Sequence, residues 1–202
     1  EEVDIDTYED WAVCEYLIKR KKIVFAITGN KVDGLGHVNR ALLIANEILD
    51  HEIIFVTNPE SSMANDIVSS NNYKCIRSEN LLESISELNP DIVINDILDT
   101  TKEYMQALKS FNYKIINFED LGDGAIYADM VINALYSKKK SDPINFFSGE
   151  EYFCLRNEFI YTKNKTISPD VKNILITFGG TDQNNLTKKI LHAFRSKFKN
   201  IM

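Results

Sequence analysis

The run Gly34-Leu35-Gly36-His37-Val38-Asn39-Arg40 places, in one short stretch, groups that can hold an activated ligand and a group that can move a proton beside it. Glycine lets a ligand approach the backbone, and a helix start offers unpaired N–H groups with a partial positive charge. An imidazole at that point can take or give a proton near neutral pH. A glycine turn alone implies nucleotide binding; with His37 it implies general-base chemistry or the orienting of a water molecule. The alternative for His37 is a helix-capping side chain bonded to backbone. His51, at a turn, and His192, in a late helical pattern, read as surface or packing residues.

A second glycine turn, Gly179-Gly180-Thr181-Asp182, precedes a helical pattern over 185–198. Its backbone and Thr181 can donate to a diphosphate; a plain tight turn is the alternative. Carboxylates fall at the ends of apolar runs: Asp96 closes 92–95, and Glu119 and Asp120 follow 115–118. From such positions Asp96 would act in the chemistry, holding a sugar hydroxyl or orienting His37, and Asp120 would contact substrate. Both are equally suited to capping the next helix or turn. Asn133 either faces the same cleft or pairs with backbone.

The elements that must position these groups follow a simple beat. Strand-like runs fall at 23–28, 52–57, 91–97, 114–118, 130–134 and 173–178. Helical patterns over 41–49, 80–88 (ended by Pro90) and 101–110 lie between several of them. This alternation predicts an α/β fold, a Rossmann-like parallel sheet with helices on both faces and right-handed crossovers. Ligands of such sheets lie outside the carboxyl ends of the strands. Near the N-terminus, Thr7 reads as the N-cap of a helix with Asp10 three residues on, an extra helix packed on the domain's edge. A boundary is expected at 162–172, where polar residues and Ser168-Pro169-Asp170 interrupt the pattern.

Composition narrows the class. The chain has 202 residues, 44% hydrophobic, enough for a core, and its 23 Lys+Arg against 30 Asp+Glu give a net charge of −7. That balance argues against nucleic acid as a partner, and Lys138-Lys139-Lys140 reads as a solvated loop. Cys14, Cys75 and Cys154 lack CxxC spacing and read as buried free thiols of a reducing cytoplasm. No apolar run reaches membrane-spanning length. The sequence starts without methionine and ends just after a helical pattern, so it reads as a fragment.

Three motifs occur in order: Gly34-Leu35-Gly36-His37-x-x-Arg40, Tyr152-x-x-Leu155-Arg156-x-Glu158-Phe159, and Phe178-Gly179-Gly180-Thr181-Asp182-x-Asn184-Asn185-Leu186-Thr187. Together they resemble the UDP-sugar hydrolases of pseudaminic acid biosynthesis, relatives of the lipid II glycosyltransferase of cell-wall synthesis. The resemblance implies a two-domain glycosyltransferase-B fold whose second domain grips the nucleoside diphosphate. It implies that His37 assists attack of water on a nucleotide-activated sugar, with Gly34, Gly36, Arg40, Gly179, Gly180, Thr181, Asp182 and Asn184 as substrate contacts and no cofactor. One departure is Asp96-Ile97-Leu98-Asp99, where such hydrolases carry a tyrosine shortly after the aspartate. The start, Asp4-Ile5-Asp6-Thr7-x-Glu9-Asp10, resembles the closing segment of acylneuraminate cytidylyltransferases, whose paired aspartates help hold magnesium; Asp4 and Asp6 match them but would need the rest of that domain. The implied organisation is 1–22 as that tail and linker, 23–165 as the first Rossmann-like domain and 166–202 as the truncated start of the second. The expected function is release of a free amino-sugar for nonulosonic acid synthesis, feeding cell-surface polysaccharide. A glycosyltransferase or a non-catalytic nucleotide-sugar-binding module is the alternative, and the chain alone is expected to be inactive. Arg156 and Glu158 are read as a structural pair at the hinge.

Overall fold

Strand β1 (Lys22–Ile27) is apolar on both sides, so it requires cover on both. The computed structural model, which describes residues 4–30, 34–163, 166, 169–170, 174–178, 182 and 184–197, supplies it. Ile23, Phe25 and Ile27 pack on one face with Val38, Ala41 and Ala45 of α2 (Gly36–Glu47). Phe55 of β2 (Glu52–Thr57) and Ala64 and Val68 of α3 (Ser62–Ser70) complete that layer. The Phe25 and Phe55 rings stack at 5.0 Å between centroids. Val24 and Ala26 face the other way, against Ile85 of α4 (Leu81–Leu88) and Met105 and Leu108 of α5 (Lys102–Ser110).

The remaining strands are β3 (Lys74–Arg77), β4 (Ile92–Asp96), β5 (Lys114–Phe118), β6 (Met130–Asn133) and β7 (Phe146–Ser148). All pair in parallel in one seven-stranded sheet of order β3-β2-β1-β4-β5-β6-β7. The sheet is therefore the α/β, Rossmann-like arrangement expected. From β1 the chain winds outward to β2 and β3, then returns to place β4 on the other side of β1. That reversal opens a crevice at the carboxyl ends of β1 and β4, where parallel sheets bind ligands. Register sets its floor: Ile27 lies opposite Asp96, and Asn95 opposite Asn117.

Local chemistry starts the helices, with the Thr7 cap where the sequence placed it. Asn80 accepts from Glu83 N–H and Thr101 from Tyr104 N–H, and Thr7 with Asp10 forms a capping box on α1 (Tyr8–Lys19). Helix α1 nevertheless packs on no edge: none of its residues is buried, and Trp11 and Ile18 are exposed. Helix α2 begins at Gly36, not after Arg40, so His37 and Arg40 lie one turn apart on its first turns. Strands β3 and β7, four and three residues long, are too short to show a period in the sequence. The strand expected over 173–178 does not form across 174–178; an apolar run becomes a strand only where a neighbour takes its backbone groups, and no pairing partner meets it among the described residues. Among the described residues, the α-helices α6 (Asn157–Tyr161) and α7 (Leu186–Lys197) follow β7.

Candidate active site

The crevice holds a cavity of about 500 Å³ lined by residues that follow each strand on that side of the sheet. Gly36, His37, Asn39, Arg40 and Leu43 come from the start of α2; Leu98 follows β4, and Phe118 and Glu119 end β5. Ala134–136 follow β6, and Tyr152, Phe153, Cys154 and Arg156 follow β7. Gly36 leaves open space where a side chain would project: a Cβ there meets nothing within 4 Å. Gly34 serves the turn behind it, with φ +82° and its N–H donating to Asn30 O at 2.9 Å.

Beneath this cavity lies a charged cluster. Asp96, 1% exposed, accepts from Arg40 on both oxygens, Nε to Oδ2 at 2.7 Å and Nη2 to Oδ1 at 2.6 Å. This is the two-pronged guanidinium–carboxylate geometry. His37 Nδ1 lies 2.5 Å from Asp96 Oδ1. A carboxylate only accepts, so Nδ1 carries the proton and Nε2 is the ring nitrogen left for the cavity. Arg40 also donates from Nη1 to Glu119 Oε1 at 3.3 Å and lies over the Phe118 ring at 5.3 Å. Burial would lower the Arg40 pKa; its hydrogen bonds to Asp96 and the charges of Asp96 and Glu119 outweigh that and hold it above the ordinary value.

The sequence named His37, Arg40 and Asp96, and the structure brings them together. Asp96 is not among the residues lining the cavity; it is hydrogen-bonded to His37 Nδ1. Arg40 spends its donors on the two carboxylates more than on open space. Asp120 departs from the reading as a substrate contact. It turns away from the cavity and accepts from Thr100 N–H, Thr100 Oγ1, Asn117 Nδ2 and Gly122 N–H, filling its acceptor sites. Asn133 pairs with the Asp120 backbone through both of its side-chain atoms.

Gly179, Gly180 and Thr181 lie outside the described residues. Asp182 caps the start of α7. Its two oxygens accept from Leu186 N–H at 2.8 Å and Thr187 N–H at 3.0 Å, occupying donors that a phosphate would use. These bonds, that to Thr187 first, lower its pKa. Asn184 is exposed and outside the cavity lining. Asp4 and Asp6 are exposed, and no group of three His, Cys, Asp or Glu among the described residues is placed to hold a metal. Two open carboxylates do not meet the six-oxygen demand of magnesium.

Glu119 was read only as one of the strand-end carboxylates, and Cys154 and the aromatic wall of Tyr136, Tyr152 and Phe153 were missed as site residues. The only signal for the wall was the Tyr152-to-Phe159 motif, in which Arg156 was read as structural; it lies at the cavity with its guanidinium over Phe159 at 5.5 Å. The cysteines are free and half-buried. Burial raises the Cys154 thiol, Arg40 opposing and Asp96 and Glu119 adding, so it is disfavoured as the nucleophilic thiolate. His51 accepts from Lys21 N–H at the opposite edge of the sheet, and His192 is exposed.

The sequence is similar to an uncharacterized protein of Methanocaldococcus jannaschii, 35% identical over 195 residues, covering 87% of this chain and 40% of that protein. It is also similar to the spore coat polysaccharide biosynthesis protein SpsG of Bacillus subtilis, 28% identical over 180 residues, covering 82% of this chain and 52% of that one. The chain thus spans about half the length, or less, of these curated relatives. Among solved structures, MurG of Acinetobacter baumannii superposes with a TM-score of 0.49 at 13% identity, over 64% of this chain and 45% of that chain. No family model matches the sequence. Among the described residues no helix is long and apolar enough to cross a membrane.

Proposed function

We propose that this chain carries the catalytic cleft wall of an enzyme acting on a nucleotide-diphosphate sugar, and that the reaction is hydrolysis releasing a free amino-sugar for nonulosonic acid synthesis. The observation that carries this reading is the His37–Asp96–Arg40 cluster under a 500 Å³ cavity at the switch point of the sheet. Asp96 holds His37 in the tautomer with Nε2 unprotonated. Nε2 removes a proton from water as the water oxygen bonds to the anomeric carbon. The bond from that carbon to the phosphate oxygen breaks, and its electron pair leaves with the nucleoside diphosphate. A positioned base of this kind contributes about 10²–10⁴-fold.

Residues 23–165 form the first domain in this proposal, and the segment from 166 onward begins a second that binds the diphosphate, in the glycosyltransferase-B manner. The hydrolase needs no cofactor; magnesium belongs with a cytidylyltransferase-like domain upstream of residues 1–22. Free half-buried thiols fit a cytoplasmic setting.

A glycosyltransferase is the second reading, favoured by the similarity to a polysaccharide biosynthesis protein. There His37 takes its proton from an acceptor hydroxyl instead of water. The test follows nucleotide release by NMR from UDP-activated diacetamido-trideoxyhexoses with the full-length protein. Release without acceptor, reduced about 10²–10⁴-fold in His37→Ala, is the expected result. Release only after a sugar or lipid acceptor is added establishes the transferase.

A further inference from the structure

Among the ionisable groups at this cavity that have no part in the chemistry just described, Glu119 stands out. Glu119 follows β5 with φ +50°, a left-handed backbone that a residue with a side chain rarely adopts. Its N–H donates to Ile132 O at 2.9 Å, which pins it beside β6. Its side chain is 8% exposed and lines the cavity. Oε1 accepts from Ala134 N–H at 3.0 Å and from Arg40 Nη1 at 3.3 Å. Oε2 is shut from water and has no hydrogen-bond partner.

A buried carboxylate oxygen without a donor is costly, and a carboxylate can only accept. The missing partner is therefore a donor, and the cavity is where one can arrive. The last torsion of a glutamate is broad, so a modest turn of the carboxylate presents Oε2 to an occupant. Charge narrows the choice. Asp96 and Glu119 share one ion-pair partner, Arg40, so the ground beside Glu119 disfavours phosphate oxygens, while the cavity's other cation, Arg156, lies over the Phe159 ring. Leu98, Phe118, Leu135, Tyr136 and Phe153 around it suit the apolar face of a ring.

We propose that Glu119 reads a hydrogen-bond donor, a ring hydroxyl or an amide N–H, on the sugar portion of the bound ligand, and thereby sets which sugars the cavity accepts. The proposal rests on the nucleotide-sugar reading above. It makes Glu119 a specificity residue and leaves proton transfer to His37.

Glu119→Gln isolates the idea. Ala134 N–H and Arg40 both donate, so the amide keeps its oxygen toward them and puts Nε2, a donor, where Oε2 was. Calorimetry with the full-length protein would compare UDP, UDP-glucose and UDP-N-acetylglucosamine. The wild type is expected to bind a UDP-sugar more tightly than UDP. The variant is expected to lose that preference by about tenfold or more, with UDP affinity and melting temperature unchanged. Loss for both sugars assigns a ring hydroxyl; loss for UDP-N-acetylglucosamine alone assigns the amide N–H. An unchanged preference overturns the proposal and leaves the nucleotide-sugar reading standing, as does a variant whose melting temperature and UDP affinity fall together. A wild type that binds UDP and both UDP-sugars equally overturns it too, and one that binds none overturns both.

Discussion

Asp96 is the residue on which the site turns, because one carboxylate serves two partners that need it ionised. Asn at this position has a single acceptor oxygen and turns its amide donor toward either His37 or Arg40. Asp96→Asn is expected to lower kcat about 10²–10⁴-fold through loss of the His37 tautomer. It is also expected to cost about 3–5 kcal/mol of stability, because the buried Arg40 loses its counter-charge. Steady-state kinetics and urea unfolding check the two parts separately. His37, Arg40 and Asp96 were legible in the sequence because each residue type has few uses at a strand end or helix start. Which of Glu119 and Asp120 would face the cavity was not. Asp120 accepts from its sequence neighbours Asn117 and Gly122 and from Thr100, which folding brings beside it.

At the scale of elements, the site depends on how closely α2 and α3 approach the end of β1. Gly29 permits that approach: a Cβ there would stand 2.5 Å from Val38 Cγ2 and 2.9 Å from Ala64 Cβ. Gly29→Ala is expected to cost about 1–3 kcal/mol by overpacking and to displace the helix that carries His37. A lower urea midpoint together with a larger loss of kcat than of binding would show both. The Thr7 cap, strand centres and the breaker at Pro90 were readable because they depend on near neighbours in sequence. The start of α2 was not: Gly36 is a weak helix former, and it is the docking of Val38 and Ala41 on Phe25 that carries the helix back to it. Strands β3 and β7 likewise exist because β2 and β6 offer them a ladder.

Across the whole molecule, the two edges of the sheet have different duties. The carboxyl edge gathers the cavity. At the opposite edge, Asp91 accepts from Lys22 N–H and Lys21, and Asp129 from Ile115 N–H and Lys109, tying strand starts together. The Lys22 backbone bond leads in lowering the Asp91 pKa; for Asp129, burial would raise it but the Lys109 and Ile115 bonds outweigh that. Both folded values therefore lie below the unfolded value of about 3.9. Their stabilisation is complete above that value and is lost as pH falls through the lowered folded values. The urea midpoint is expected to fall below about pH 4, and less steeply in Asp129→Asn. The sequence by itself determined the parallel α/β plan and the Thr7 cap, and it named His37, Arg40 and Asp96, which the fold brings together, because these follow from apolar period and from residue chemistry over a few neighbouring positions. Only the tertiary structure decided which carboxylate faces the cavity, that Asp182 caps a helix and that aromatics from beyond β7 wall the site. The first and last of these depend on groups far apart in sequence that folding brings to one edge of the sheet; the Asp182 cap is local, and the backbone of α7 fixes it.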